Sequence, residues 1–553
     1  MGRPAGVNAS PAPVLRLRHL RRRAVLAACL ALAAGCTVGP DFRPPQPPLD
    51  SGYTMPPAPP RTAQAEGRHG GAQVLDDGAD VPERWWTLFG SPALDRTVEA
   101  ALAANPGVAQ ARARLEQAGH DLAARSGATQ WPAIDARLSS TRQQVDIKSL
   151  GITAFPSPGP FTLYGASVQV SYVLDLFGAQ RRELEGLRAA VDYQRFEWQA
   201  ARLALAANVV TAAIREAGLR AQIAELRAQT AAQRRSLDIT RARLAAGGVA
   251  EVDVRRQQGV LDQTEAQLPG LARQLAASRH QLAVYLGLAP AGASDDEGAP
   301  DRGSGEDALP AFDLDTLHLP AALPLSLPST LAQRRPDIAA AQALLQQASA
   351  NIGVATANLY PQLTLSGSAG TQGLSAGDLF RSLNVWSLAA GLAQPVFHGG
   401  ELLERRRSAQ AAYAQSLAAY RQVVLQGLLE VADALRALEA DALALRARAD
   451  AAQRARETLD IVAAQYRAGG VSQLALLDAE RQYRQAAQDL VQAQAARLAD
   501  SAALLQALGG GWWQETERET ETEAEARTEP APAARAAHPR AGADGASMAQ
   551  RAR

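Results

Sequence analysis

The chain changes periodicity twice, at corresponding places in its two halves. Tyr164, Ala166, Val168, Val170, Tyr172 and Leu174 alternate with Gly165, Ser167, Gln169, Ser171 and Val173, and upstream Ile134, Ala136 and Leu138 alternate with Asp135, Arg137 and Ser139. In the second half Leu363, Leu365 and Ala369 alternate with Thr364, Ser366 and Ser368, and Trp386, Leu388, Ala390 and Leu392 with Ser387, Ala389, Gly391 and Ala393. A period of two sends the two sets to opposite faces of a strand, so four strands are predicted. Runs of about ten residues have the length of a membrane-spanning β-strand. A one-sided soluble sheet carries the same alternation, but small polar residues opposite apolar ones also suit a barrel with a wet lumen and a lipid face. Four strands cannot close a wall, and an open edge within lipid leaves backbone groups unpaired at a few kcal/mol each. A membrane barrel made from this chain must therefore be completed by further copies. Two copies give about eight strands and a filled interior; three give about twelve and room for a pore.

Around the strands the period is helical. Residues 179–246 and 401–468 contain no proline, so each run can form one helix of roughly 100 Å at about 1.5 Å per residue. Shorter helices near 92–125 and 250–286 would nearly equal that length if stacked end to end. Leu261, Leu268, Leu275 and Leu282 recur every seventh residue, and Leu219, Ile223 and Leu226 keep helical spacing, as in narrow coiled-coil seams. The remaining faces are polar, which describes a wall wet on both sides. Pro269 interrupts one seam and predicts a kink or break.

The halves repeat each other with a period of about 220–230 residues. Asn105-Pro106-Gly107-Val108 answers Arg335-Pro336-Asp337-Ile338, and Trp131-Pro132 answers Tyr360-Pro361. Phe177-Gly178 answers Phe397 and Gly399, Gly247-Gly248 answers Gly469-Gly470, and Leu286-Gly287 answers Leu508-Gly509. The shared order is helix, two strands, long helix, tight turn, helix. Residues 291–307, rich in Ser, Asp, Gly and Glu, read as a solvated linker in preference to a calcium loop.

Composition adds little except at the N-terminus. With 56 basic and 56 acidic side chains there is no net field for nucleic acid. Five arginines between Arg16 and Arg23 precede an apolar run over 24–34, which is too short to cross a bilayer and reads as a secretory signal. The run ends at Ala34-Gly35-Cys36, small residues before a cysteine as in a bacterial lipoprotein signal. Cutting before Cys29 would leave too short an apolar segment. A plain cleaved signal and an Arg-rich organellar presequence are the alternatives, though the latter would be amphipathic. Cys29 and Cys36 are the chain's two cysteines, so a disulfide framework and thiolate zinc sites are excluded. The stretch over 40–60 is Pro-rich and reads as an extended tether.

The chain resembles the outer-membrane efflux protein family, the TolC-like exit ducts of tripartite pumps, and within it the NodT-type lipoprotein branch. The likeness rests on Cys36-Thr37-Val38-Gly39-Pro40-Asp41-Phe42, Trp85-Trp86, Arg334-Arg335-Pro336-Asp337-Ile338, Pro395-Val396-Phe397 and Ala507-Leu508-Gly509-Gly510-Gly511-Trp512. It implies a mixed α and β membrane protein, a homotrimer whose twelve-stranded transmembrane β-barrel continues into a long periplasmic α-helical barrel. It also implies a diacylglycerol and N-acyl group on Cys36, an adaptor (membrane fusion protein), an inner-membrane RND transporter and outer-membrane lipid as partners, and no other cofactor. The resulting division is a signal over 1–35, a lipidated N-terminus and tether over 36–84, a first repeat over 85–290, a linker over 291–327, a second repeat over 328–513 and a disordered tail over 514–553.

The resemblance also implies a gate at the helix tips. Leu474 and Asp478 match the constriction, and four residues apart they share a helix face. Asp253, Tyr466 and Arg467 match a latch that holds the tips closed, and Gly247, Gly248, Gly469 and Gly470 match the tip turns. Ala475 stands where some relatives carry a second gate aspartate. No motif for catalysis, zinc or phosphate is present, and the seven histidines are scattered. His398 reads as an exposed turn residue. An export duct is thus expected in preference to a periplasmic adaptor or coiled-coil scaffold lipoprotein, which would lack paired strands, or to an enzyme.

Overall fold

The computed structural model describes residues 37–46, 52–146, 159–290, 309–379 and 385–514, with Gly2, Gly151 and Ala154. The signal apart from Gly2, together with Cys36, residues 291–308 of the linker and the tail from residue 515, lies outside these residues. In chain order the elements are β1 (Val74–Asp77), α1 (Pro92–Ala104), α2 (Pro106–Gln130), β2 (Ala133–Gln143), β3 (Phe161–Leu174), α3 (Ala179–Ala245), α4 (Glu251–Glu265) and α5 (Leu268–Tyr285). Then come β4 (Ala322–Leu325), within the expected linker, α6 (Pro328–Arg334), α7 (Pro336–Ala357), β5 (Gln362–Gly373), β6 (Val385–Ala393), α8 (Glu401–Arg467) and α9 (Gln473–Ala507).

Helices α3 and α8 are each 67 residues long, roughly 100 Å. Neither contains a proline, and each begins after a glycine with positive φ, Gly178 at 84° and Gly400 at 86°. The shorter partners do lie end to end along α3. Arg125 of α2 pairs with Glu183 near its start, Arg279 of α5 with Glu216 at mid-length, and Arg234 with Glu265 of α4 nearer the tip. The expected single helix near 92–125 is two helices, because Pro106 cannot donate into a preceding turn and its predecessor Asn105 is held extended (ψ 123°). At Pro269 the expected break is present as the gap between α4 and α5. In the second half α9 runs unbroken for 35 residues.

The four long strands form one antiparallel sheet in the order β2-β3-β5-β6. Ile134 opposes Val170, Val168 opposes Ala369, Tyr172 opposes Leu365 and Leu363 opposes Leu392. One face is thus apolar from edge to edge. The other aligns Asp135 with Gln169, Ser171 with Ser366 and Ser368 with Ser387. The apolar face is open: Ile134 is 69% exposed and Leu388 82%.

The largest apolar cluster among the described residues girdles the midpoints of the long helices. Val209, Val210, Ala213 and Ile214 of α3, Val431 and Leu438 of α8 and Leu498 and Leu505 of α9 close on Trp85, Phe89 and Leu94. Two segments read as tether and linker join this belt. Residues 74–77 and 322–325 pair as a two-stranded parallel sheet, with Leu314, Leu317 and Leu323 buried beside it. Between residues 52 and 84 the chain is extended and docked. Tyr53 donates to the Ser326 carbonyl at 2.7 Å. Buried Arg497 of α9 donates to Thr62 Oγ1 at 2.9 Å and to the Gly71 carbonyl at 2.8 Å. The Gly71 carbonyl is thus satisfied by a side chain of a helix the segment crosses.

Candidate functional site

Both helix tips end by the same device. At the end of α3, Gly248 N–H donates to the Arg243 carbonyl at 2.8 Å and Gly247 N–H to Leu244 at 2.9 Å; at the end of α8, Gly470 donates to Gln465 at 2.9 Å and Gly469 to Tyr466 at 3.0 Å. This is the Schellman pairing, and it needs the left-handed φ of 75° at Gly247 and 76° at Gly469. The following helices are capped in turn. Asp253 accepts the Ala250 N–H at 3.2 Å, and Ser472 Oγ accepts that of Ala475 at 3.3 Å.

The constriction residues lie on the first turns of α9. Leu474 is 62% exposed. Asp478 pairs with Arg481 and accepts from Gln482 Nε2 at 3.0 Å, so part of its charge is answered on its own helix. Asp253, Tyr466 and Arg467 are not bonded to one another within the protomer. The Arg243 guanidinium sits 5.0 Å over the Tyr466 ring, joining the two tips by a cation–π contact. Arg467 Nε donates at 3.3 Å to its own helix, at the Ala463 carbonyl. The Arg243 contact was missed in the sequence, where an arginine near a helix end satisfies the dipole as well.

At the opposite end, every strand of the sheet has an aromatic residue at its foot: Trp131 before β2, Phe177 after β3, Tyr360 before β5 and Phe397 after β6. Phe177 and Tyr360 stack with centroids 4.8 Å apart, while Trp131 and Phe397 are 71% and 86% exposed. The first described residues after the expected lipidation site are seated here. Val38 N–H donates to the Phe177 carbonyl at 3.1 Å. Buried Arg182 binds Asp41 at 2.7 Å and Glu185 at 2.7 Å. A Cβ on Gly39 would stand 2.5 Å from Gly353 Cα, so only glycine lets the strand lie in that groove.

Where the shorter helices meet end to end, each half has a polar joint. Asn105 Oδ1 accepts the N–H of Gly107 at 2.8 Å and of Val108 at 3.3 Å, while its Nδ2 donates to the last-turn carbonyl of Tyr285 at 2.9 Å. At the corresponding place Arg335 Nη1 donates to the Ala507 carbonyl at 2.8 Å, and its guanidinium binds Asp337 at 2.8 Å and Glu430 at 2.6 Å. In the sequence both were visible as repeat anchors, and Arg335 also as part of a family motif, but neither as a joint.

A family model described as outer membrane efflux protein matches residues 97–288 and again 327–510. The chain belongs to the outer membrane efflux protein family. Its relatives agree over most of their length. The pyoverdine export outer membrane protein OpmQ of Pseudomonas putida is 31% identical over 446 residues, covering 80% of this chain and 90% of that one. Nodulation protein T of Rhizobium leguminosarum bv. trifolii is 29% identical over 452 residues, 81% and 89% of the two chains. Among solved structures the outer-membrane channel OprN superposes with a TM-score of 0.71 at 28% identity, covering 86% of this chain and all of that one. The efflux protein described here therefore acts in the outer membrane, and its mixed, mostly helical fold is that of such channels.

Proposed function

We propose that three copies of this efflux protein build the exit duct of a tripartite RND-type pump, passing drugs or other small molecules from a periplasmic transporter–adaptor assembly to the exterior. The observation that carries the reading is the sheet with one apolar, exposed face, one small polar face and an aromatic residue under each strand. Among the described residues β2 and β6 each pair on one side only, and in lipid those edges must be closed. Joining β6 of each copy to β2 of the next gives twelve strands around a wet lumen, with the aromatic feet at the membrane interface. The long helices then continue the tube into the periplasm. Residue 37 lies at the foot of the sheet against Gly178, which supports the reading of Cys36 as an acylated cysteine anchored in the outer membrane. Conduction is passive, no step of covalent chemistry is assigned, and cognate partners bind the helical end.

The gate in this reading is at the tips. Leu474 and Asp478 from three copies form an apolar and an acidic ring, and Asp253, Tyr466 and Arg467 latch neighbouring helices until adaptor docking shifts the population toward the open form. The primary test is extraction of the protein from outer membranes and reconstitution in planar bilayers. Heat-stable trimers with discrete conductance are expected, and a soluble monomer without conductance would end the reading. Joint replacement Tyr466→Phe and Arg467→Ser should raise single-channel conductance, and an unchanged value would dismiss the latch.

A further inference from the structure

The packing between α3, α4 and α9 changes character along its length. Near the midpoint α3 presents Val210, Ile214 and Ala217 to the core. Toward the tip its buried positions become Gln229, Thr230, Gln233, Leu237 and Thr240, and facing α4 buries Gln257, Leu261 and Thr264. The spacing is that of a coiled-coil seam, with glutamine and threonine in most places where leucine would pack best. From α9, Gln473 Nε2 reaches Thr240 Oγ1 at 3.4 Å and Arg484 Nη1 donates to Thr264 Oγ1 at 2.6 Å.

These amides are not satisfied by the protein. Both side-chain polar atoms of Gln233 and of Gln257, together with Gln229 Oε1, Gln473 Oε1 and Glu480 Oε2, are buried without a hydrogen-bond partner. Gln257 has no exposed surface and Gln233 has 3%. The burial arises inside one protomer, so a neighbouring copy cannot reach these atoms to pair them. Buried polar atoms in folded proteins are paired, and where the protein offers nothing, internal water does so. Burial also raises the affinity of the Glu480 carboxyl for its proton, against the opposing effect of Arg484.

We infer that the tip seam between the α3–α4 hairpin and α9 is a hydrated slip surface, whose glutamines exchange water for one another as α9 moves. An interdigitated leucine seam has one deep register, whereas amides bridged by water lose little when displaced by part of a turn. The apolar belt above it stays rigid, so motion is confined to the end that carries Leu474 and Asp478. The gap between α4 and α5 lies level with the start of this seam, since Glu265 pairs with Arg234, and Pro269 cannot donate to the carbonyl of Glu265. The inference rests on the reading of the tips as a gate and adds the surface that lets them move.

The test is the double replacement Gln233→Leu and Gln257→Leu in the full-length protein, followed in planar bilayers beside the unaltered chain. Opening events should become roughly tenfold rarer, as expected when one state gains packing that the other lacks. If the unaltered protein gates and the double variant gates at the same rate, the slip surface is overturned while the duct stands; a parent protein without any channel would overturn both. Should the variant fail to assemble, hydrogen exchange on the unaltered trimer decides. Amides over 230–240 and 257–264 should then exchange roughly tenfold faster than those over 205–217, and equal protection would overturn the inference.

Discussion

The two end-to-end joints occupy equivalent places in the halves and solve one problem with different chemistry. In the first half a neutral Asn105 caps α2 and donates to the carbonyl of Tyr285. In the second, Arg335 does the donating to Ala507 and recruits Asp337 and Glu430. The long-helix pairs contrast in a complementary way. Helix α3 is tied to α5 by Glu216 and Arg279, a pair at 2.9 Å with side chains 0% and 8% exposed. Helices α8 and α9 instead bring the carboxyls of Asp441 and Asp500 into hydrogen-bond contact. The same architecture thus tolerates a neutral or a charged joint, and an ion pair or a pair of adjacent carboxyls.

The largest effect is expected at the ion pair. Glu216→Ala removes a fully buried carboxylate from between Arg220 and Arg279 and should cost about 4 kcal/mol in urea unfolding of the detergent-solubilised protein, as for breaking other buried pairs. Arg335→Ala should cost less, about 3 kcal/mol, because Asp337 and Glu430 are 40% and 42% exposed and water takes them back. Asn105→Ala loses a cap and one carbonyl bond, worth about 1–2 kcal/mol. If Asn105→Ala proved as damaging as Arg335→Ala, the contrast between a neutral and a charged joint would carry no energetic meaning.

The Asp500 carboxyl predicts a pH dependence that arises in the second half. Burial, and then the neighbouring Asp441, push the Asp500 carboxyl up from 3.8 to about 7. A carboxyl whose folded value is raised stabilises the fold in full below its ordinary value of 3.8, where it is protonated in both states, and that contribution is lost progressively as pH rises to about 7. Thermal midpoints should therefore fall between about pH 4 and 7 in the unaltered protein, and Asp500→Asn should flatten this slope while Glu216→Gln leaves it in place. The smallest effect is expected at the tips, where Arg243→Ala removes one cation–π contact worth about 0.5–1 kcal/mol. It should be visible as faster proteolysis near residues 243–250 and 466–472, without loss of assembly.

Much of this fold is written in local patterns. Proline-free runs set the length of α3 and α8, and period-two alternation marked every strand of the sheet. Gly-Gly pairs marked the tip turns, and Pro269 marked the gap between α4 and α5. Other features depend on distant partners. Asn105-Pro106 divides α1 from α2 by local stereochemistry, but that the break doubles as a joint to α5 depends on Tyr285, 180 residues away. Residues 52–84 and 309–327 look like spacers by composition, yet Arg497 and Ser501 of α9 hold the first against the helices, and Gln73 and Tyr53 tie the second to the first. The buried glutamines of the tip seam read as solvated positions, since nothing local distinguishes an amide facing water from one sealed between three helices. The proposed latch residues were found by family pattern alone, and in one protomer each is engaged elsewhere, Asp253 in a helix cap and Arg467 on its own helix.

The central claim, that each chain supplies one third of a barrel closed edge to edge, is open to disulfide mapping between β2 and β6. Apart from Cys36 the chain beyond the signal contains no cysteine, so a cysteine placed at Asp135, Arg137 or Ser139 combined with one at Ser387, Ala389 or Gly391 reports edge contacts directly in outer membranes. At the matching register, oxidation should link chains covalently up to a closed trimer and no further. Failure of every pairing to link copies, in protein that is folded and membrane-inserted, would contradict the claim.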